Sequence, residues 1–163
     1  METLTFIYSF LHLIAVVVLM GGGIFNAWIL DSAAGKTLSP PDSGKLGMAV
    51  GKVWLMTAWT SIVVILVSGI LLTERAGALS SDTLLHTTYG QFIFAKMLII
   101  GSWLATASII TALAMRANKM MASAGSPPAE KIRATVARMK LLSKTNNVTG
   151  LIAVLLAVSM RLF

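Results

Sequence analysis

Residues 5–30, TFIYSFLHLIAVVVLMGGGIFNAWIL, decide the fold, because the stretch contains no Asp, Glu, Lys or Arg. A helix rises about 1.5 Å per residue, so roughly 20 apolar residues cross the hydrocarbon layer of a bilayer. The stretch is long enough and reads as a transmembrane helix. Comparable apolar runs follow at residues 47–73, 89–115 and 147–163, the last being the shortest. The expected architecture is an all-α integral membrane four-helix bundle, a single domain over residues 1–163.

Composition points the same way. Hydrophobic residues make up 56% of the chain and charged residues 12%, with a mean hydropathy of +0.84. Soluble domains carry about a quarter charged residues. Four spans in 163 residues leave no room for a separate soluble domain, so a functional site is expected between the helices or at their ends. Met1-Glu2-Thr3 lacks the positive start of a cleaved signal peptide, and the first apolar stretch is too long for one, so it reads as a retained span. The absence of cysteine excludes disulfides, iron–sulfur clusters and thiolate metal sites.

The net charge is +7, and ten of the thirteen Lys and Arg residues fall in two places. Lys36, Lys45 and Lys52 follow the first span. Arg116, Lys119, Lys131, Arg133, Arg138, Lys140 and Lys144 lie between the third and fourth. By the positive-inside rule these two segments are cytoplasmic, which places both termini and residues 74–88 outside, an N-out/C-out topology. The charges are therefore expected to orient the chain and meet anionic lipid, and nucleic acid is not an expected partner. Residues 31–46 include Ser39-Pro40-Pro41-Asp42-Ser43-Gly44 and are expected to form a surface loop. After Ser126-Pro127-Pro128, where the prolines suit a helix start, Ile132, Val136 and Met139 recur at helical spacing among basic residues. That pattern predicts an amphipathic cytoplasmic helix over residues 129–144, leading into span four and offering a contact for partner subunits.

Small residues recur within the spans at Gly21-Gly22-Gly23, Gly47 with Gly51, Gly101 with Ala105, and Ala153 with Ala157. Such spacing lets helix backbones approach closely where lipid provides no hydrophobic drive for association.

Ionisable side chains within a span carry an insertion cost of at least about 2.5–3.5 kcal/mol. Two lie well inside: His12, about seven residues into span one, and Lys96, about seven into span three. In the N-out topology both fall roughly 10 Å below the outer boundary. His12 shares a helical face with Ala15, Leu19, Gly22 and Asn26. Its imidazole is read either as a satisfied core histidine or as a ligand of copper or haem iron. Lys96 either snorkels to the headgroups or faces the bundle to pair with a haem propionate, a quinone oxygen, Glu74 or Asp82. His86 lies on the same outer side and reads first as a solvated loop histidine. With Ser80 or Ser81 as a helix cap it would be helical, could face His12, and would permit bis-histidine haem ligation. Met97 and Met160 are candidate soft ligands for Cu(I). Asn26, Asn146 and Asn147 form a second polar cluster at the cytoplasmic ends, suited to capping or to bonding across helices. Nucleotide-binding loops, metalloprotease motifs and nucleophile–base patterns are absent, which removes hydrolase and kinase chemistry.

Leu11-His12 before Gly21-Gly22-Gly23, Ser68-Gly69-Ile70-Leu71-Leu72 at the end of span two, and Tyr89-Gly90-Gln91-Phe92 leading to Ala95-Lys96-Met97 in span three together resemble the membrane domain of the copper resistance protein D (CopD) family. The resemblance covers roughly residues 5 to 160. It implies copper handling or transfer near the outer face of a bacterial-type inner membrane, with His12 carried over most directly. Relatives often carry a carboxylate near the start of the last span, where this chain has Asn146 and Asn147, and full-length relatives are larger. The HemJ family of membrane protoporphyrinogen oxidases shares the early histidine and the third-span lysine. It usually has an arginine soon after the first-span glycine, and Ile24-Phe25-Asn26-Ala27-Trp28 lacks one. Three functions are thus expected in turn: copper transfer, haem b electron transfer linked to a quinone, or a cofactor-free accessory role in a respiratory or photosynthetic complex.

Overall fold

The computed structural model describes residues 2–78, 80–122 and 129–159. All regular structure among them is helical. α1 spans Glu2–Ile24 and passes through a π-helical turn, Phe25–Leu30, into α2, Asp31–Thr37. α3 spans Pro40–Arg75, α4 Ser81–His86, α5 Thr88–Ala122 and α6 Ala129–Ser159. Four stretches are long and apolar enough to cross a membrane: Glu2–Thr37, Asp42–Arg75, Thr88–Ala117 and Glu130–Val158. Large apolar side chains point outward along them, Phe6 at 71% and Leu155 at 68% exposure among others. In water such a surface would drive aggregation; in a bilayer it faces hydrocarbon of its own polarity. The chain is a multi-pass membrane protein in this sense, and it divides into two compact units, Met1–Ala95 and Lys96–Phe163.

The first unit is built on the packing of α1 against α3. The contacts run in opposite directions along the two helices: Thr5 and Tyr8 meet Arg75, His12 meets Ser68, and Gly22 meets Trp54. α1 and α3 are therefore an antiparallel hairpin, buried along Ala15, Leu19 and Gly23 on one side and Ser61, Ile62 and Ser68 on the other. At the Arg75 end the guanidinium donates to Thr5 Oγ1 at 3.2 Å and stands 5.3 Å from the centre of the Tyr8 ring. α3 then stops in a Schellman turn. Gly77 takes φ +67°, Gly77 N donates to Glu74 O at 2.9 Å and Ala78 N to Thr73 O at 3.1 Å. Only glycine adopts that φ without a steric cost.

Two connections differ from the sequence expectation. Residues 31–46 do not form a loop: helix continues through Thr37, the chain breaks at Leu38 and Ser39, and α3 restarts at Pro40. Proline lacks only an amide hydrogen that the first helical turn leaves without an internal partner, so Pro40 and Pro41 fit a helix start as well as a break. Ser39 closes that start, accepting from Asp42 N at 3.4 Å and donating to Asp42 Oδ2 at 2.6 Å. The basic segment 129–144 is likewise not a separate helix. It forms one continuous helix with span four, because residues 129–149 contain neither Gly nor Pro. Its amphipathic character is present: Ile132, Val136 and Met139 are half-buried, and Lys131, Arg133 and Arg138 are exposed. Ser126, Pro127 and Pro128 lie outside the described residues.

In the second unit a tryptophan and an asparagine join α5 to α6. Trp103 Nε1 donates to Asn146 O at 3.0 Å. With its amide turned to satisfy both ends, Asn146 also accepts from Trp103 Nε1 at 2.9 Å and donates to Trp103 O at 3.2 Å. A buried amide and a half-buried indole N–H thus satisfy each other. Asn147, the next residue, keeps its Nδ2 buried without a hydrogen-bond partner among the described residues.

Candidate functional site

His12 sits on α1, half-buried, at the level where α3 presents Ser68 and Gly69. Its Nδ1 lies 2.9 Å from Ser68 Oγ. Ser68 is buried at 4% exposure, and its hydroxyl bonds back along α3 to Val64 O, with Ile65 O farther off at 3.3 Å. Back-bonding of this kind is the ordinary way for a helix to satisfy a serine in an apolar setting. Beside it, a Cβ added to Gly69 would stand 3.3 Å from His12 Cε1 and 3.7 Å from Nδ1. Serine and glycine at consecutive positions thus give the imidazole a partner and the space to lie flat against the neighbouring helix. The sequence leaves the rotation of span one open; in the structure the His12 ring lies against α3.

The other candidates are placed separately. His86 is the last residue of α4, which Ser80 caps by accepting from Thr83 N at 3.2 Å. The cap expected from the sequence is therefore present, but α4 is short and Thr87 turns extended before α5 begins. Thr87 Oγ1 in turn accepts from Gly90 N at 3.0 Å and opens α5. The His86 side chain is exposed, with Nε2 3.9 Å from Asp82 Oδ1. His12 and His86 thus have different partners, a buried serine and an exposed carboxylate. Asp82 stands beside His86 on α4, and Glu74 is exposed at the end of α3. Lys96, half-buried, and Met97, 40% exposed, lie on α5 in the second unit. Met160 is outside the described residues.

The sequence reading did not identify Ser68 and Gly69 as the surroundings of His12. The available signal was a small polar residue next to a glycine near the end of the second span, at the depth of the lone span-one histidine. Asn26 lies just past the C-terminal end of α1, in the π-helical turn, where it lines an open apolar groove with Ala49, Val50, Val53, Trp54 and Thr57.

The donor set limits what this site can hold. Among the described residues no group of three or more His, Asp or Glu side chains is gathered for a metal ion. One imidazole from the protein matches a centre that brings most of its other ligands, as haem does with four porphyrin nitrogens, or a copper ion completed by thioethers. The chain matches no protein-family model, no curated protein and no solved structure.

Proposed function

We propose that this chain is an inner-membrane protein of bacterial type that holds a redox-active transition metal on His12, near the outer face of the membrane in an N-out/C-out topology. The observation that carries the reading is the hydrogen bond between His12 Nδ1 and Ser68 Oγ. Histidines that ligate metals almost always engage their second ring nitrogen in such a bond, which fixes the ring's orientation. His12 Nε2 would then be the ligating atom. Copper transfer follows from the resemblance to CopD proteins, a thioether being the kind of soft ligand that suits Cu(I). Haem b is the second reading, because a porphyrin needs only axial ligands from the protein. In either case the bound metal supplies a one-electron couple, and the protein's part is to fix the imidazole and keep water away from it.

His86 is assigned to a second axial position only in the haem reading. The test is an absorption spectrum of the detergent-purified chain, oxidised and dithionite-reduced, with copper and iron counted on the same sample. A Soret band with sharp reduced α and β bands supports haem, and a colourless sample with stoichiometric copper supports copper handling. His12→Ala is expected to lose either cofactor while inserting normally. Stoichiometric cofactor retained in that variant overturns the proposal, and a wild-type chain with neither metal points to an accessory subunit.

A further inference from the structure

We infer that Ser68 is a positioning residue that selects which nitrogen of His12 is offered as a ligand, an inference that rests on the reading of His12 as a metal ligand. The selection follows from counting protons. A serine hydroxyl has one proton and two acceptor lone pairs, whereas a backbone carbonyl only accepts. The close contact between Ser68 Oγ and Val64 O therefore requires that the hydroxyl donate to Val64, and Ile65 O lies on the same side as a second acceptor. The hydroxyl proton is then committed along α3. Towards His12 Ser68 presents a lone pair, so the 2.9 Å bond must be made by an N–H on Nδ1. A neutral imidazole carries one N–H. With that hydrogen on Nδ1, Nε2 holds the lone pair, and Nε2 is the nitrogen that meets a metal.

The choice of a hydroxyl partner has a chemical consequence. A carboxylate at this position would draw strongly on the Nδ1 proton and make the imidazole a stronger donor to the metal. Ser68, already donating to Val64, is a modest acceptor by comparison. Gly69 completes the arrangement, because a side chain there would press on Cε1, the ring atom between the two nitrogens.

The tautomer is read directly by nitrogen NMR on the full-length chain labelled with 15N at histidine, purified with chelator and without added copper or haem. The chain has two histidines, so His86→Gln assigns the signals. The expected result is a neutral His12 protonated at Nδ1. Ser68→Ala is expected to transfer the proton to Nε2, and Ser68→Thr, which keeps the hydroxyl, to hold it at Nδ1. Copper or haem affinity should fall about 10-fold or more in Ser68→Ala and be restored in Ser68→Thr, in line with other hydrogen-bond partners of metal ligands. A wild-type His12 protonated at Nε2, or a tautomer unchanged in Ser68→Ala, overturns the assignment to Ser68. If the proton moves as expected but the wild-type chain binds neither copper nor haem, the role of Ser68 in setting the tautomer stands and the reading of His12 as a metal ligand fails.

Discussion

At Gly22 an added Cβ would stand 2.2 Å from Trp54 Cζ3 and 2.5 Å from Cη2, closer than any side chain tolerates. The α1–α3 hairpin is thus fitted around this glycine, with the indole of one helix lying on the backbone of the other. Overpacking of a close-packed site costs about 1–3 kcal/mol. Gly22→Val is accordingly expected to lower the thermal stability of the detergent-solubilised protein. Combining it with Trp54→Leu, which removes the ring, should recover part of that loss. Equal stability of Gly22→Val and the wild type would show that the ring moves aside freely and that the contact is not a constraint. Of the three consecutive glycines, the sequence marks the region as a close approach, but nothing in it indicates that Trp54 is the group admitted. The same limit applies to His12. An isolated ionisable residue in an apolar span is conspicuous because burial is costly, whereas Ser68 is not, since serines satisfy themselves along their own helix. The register that brings residue 12 to residue 68 is set by packing along the whole hairpin, and no local pattern encodes it.

Among the elements, the spans were the most legible part, because length and apolarity are properties of one segment and need no partner. Boundaries were less so. The pair Pro40-Pro41 reads as part of a surface loop that no helix continues through, yet it opens α3, because proline stops a helix coming from its N-terminal side and fits the first turn of one that begins there. Leu38 and Ser39 are therefore the whole connection between the first two spans, and the hydroxyl of Ser39 bears on its geometry. Removing an N-cap serine costs about 0.5–2 kcal/mol of helix stability. Ser39→Ala is expected to speed amide hydrogen exchange in the first turns of α3, around Asp42 to Lys45, while exchange near Ser68 stays unchanged. Ser39→Asp, which keeps a capping oxygen, should restore protection. Unaltered exchange in Ser39→Ala would place the hold on this turn in the prolines alone. The continuity of α6 reflects the same rule: a change from basic to apolar residues alters which medium a helix suits, but it does not break the helix unless glycine or proline intervenes.

On the scale of the whole molecule, charge placement is the strongest statement the sequence makes. Moving a Lys or Arg through the bilayer is costly, so the segments rich in these residues remain on the side of synthesis. Applied here, the rule predicts that the ends bearing Lys36 and Arg138 lie in the cytoplasm and those bearing Glu2 and Asp82 outside, which would set His12 towards the outer face. The chain has no cysteine, so single cysteines report their side without background. Glu2, Lys36, Asp82 and Arg138 are all exposed. An impermeant maleimide added to intact cells, with the outer membrane opened where there is one, is expected to label Glu2→Cys and Asp82→Cys. Lys36→Cys and Arg138→Cys should react only after the inner membrane is permeabilised. Labelling of Lys36→Cys in intact cells, with Asp82→Cys protected, would invert the topology. His12 and Lys96 would then lie towards the cytoplasmic face, and a site handling metal on the outer side would be untenable even if His12 binds one.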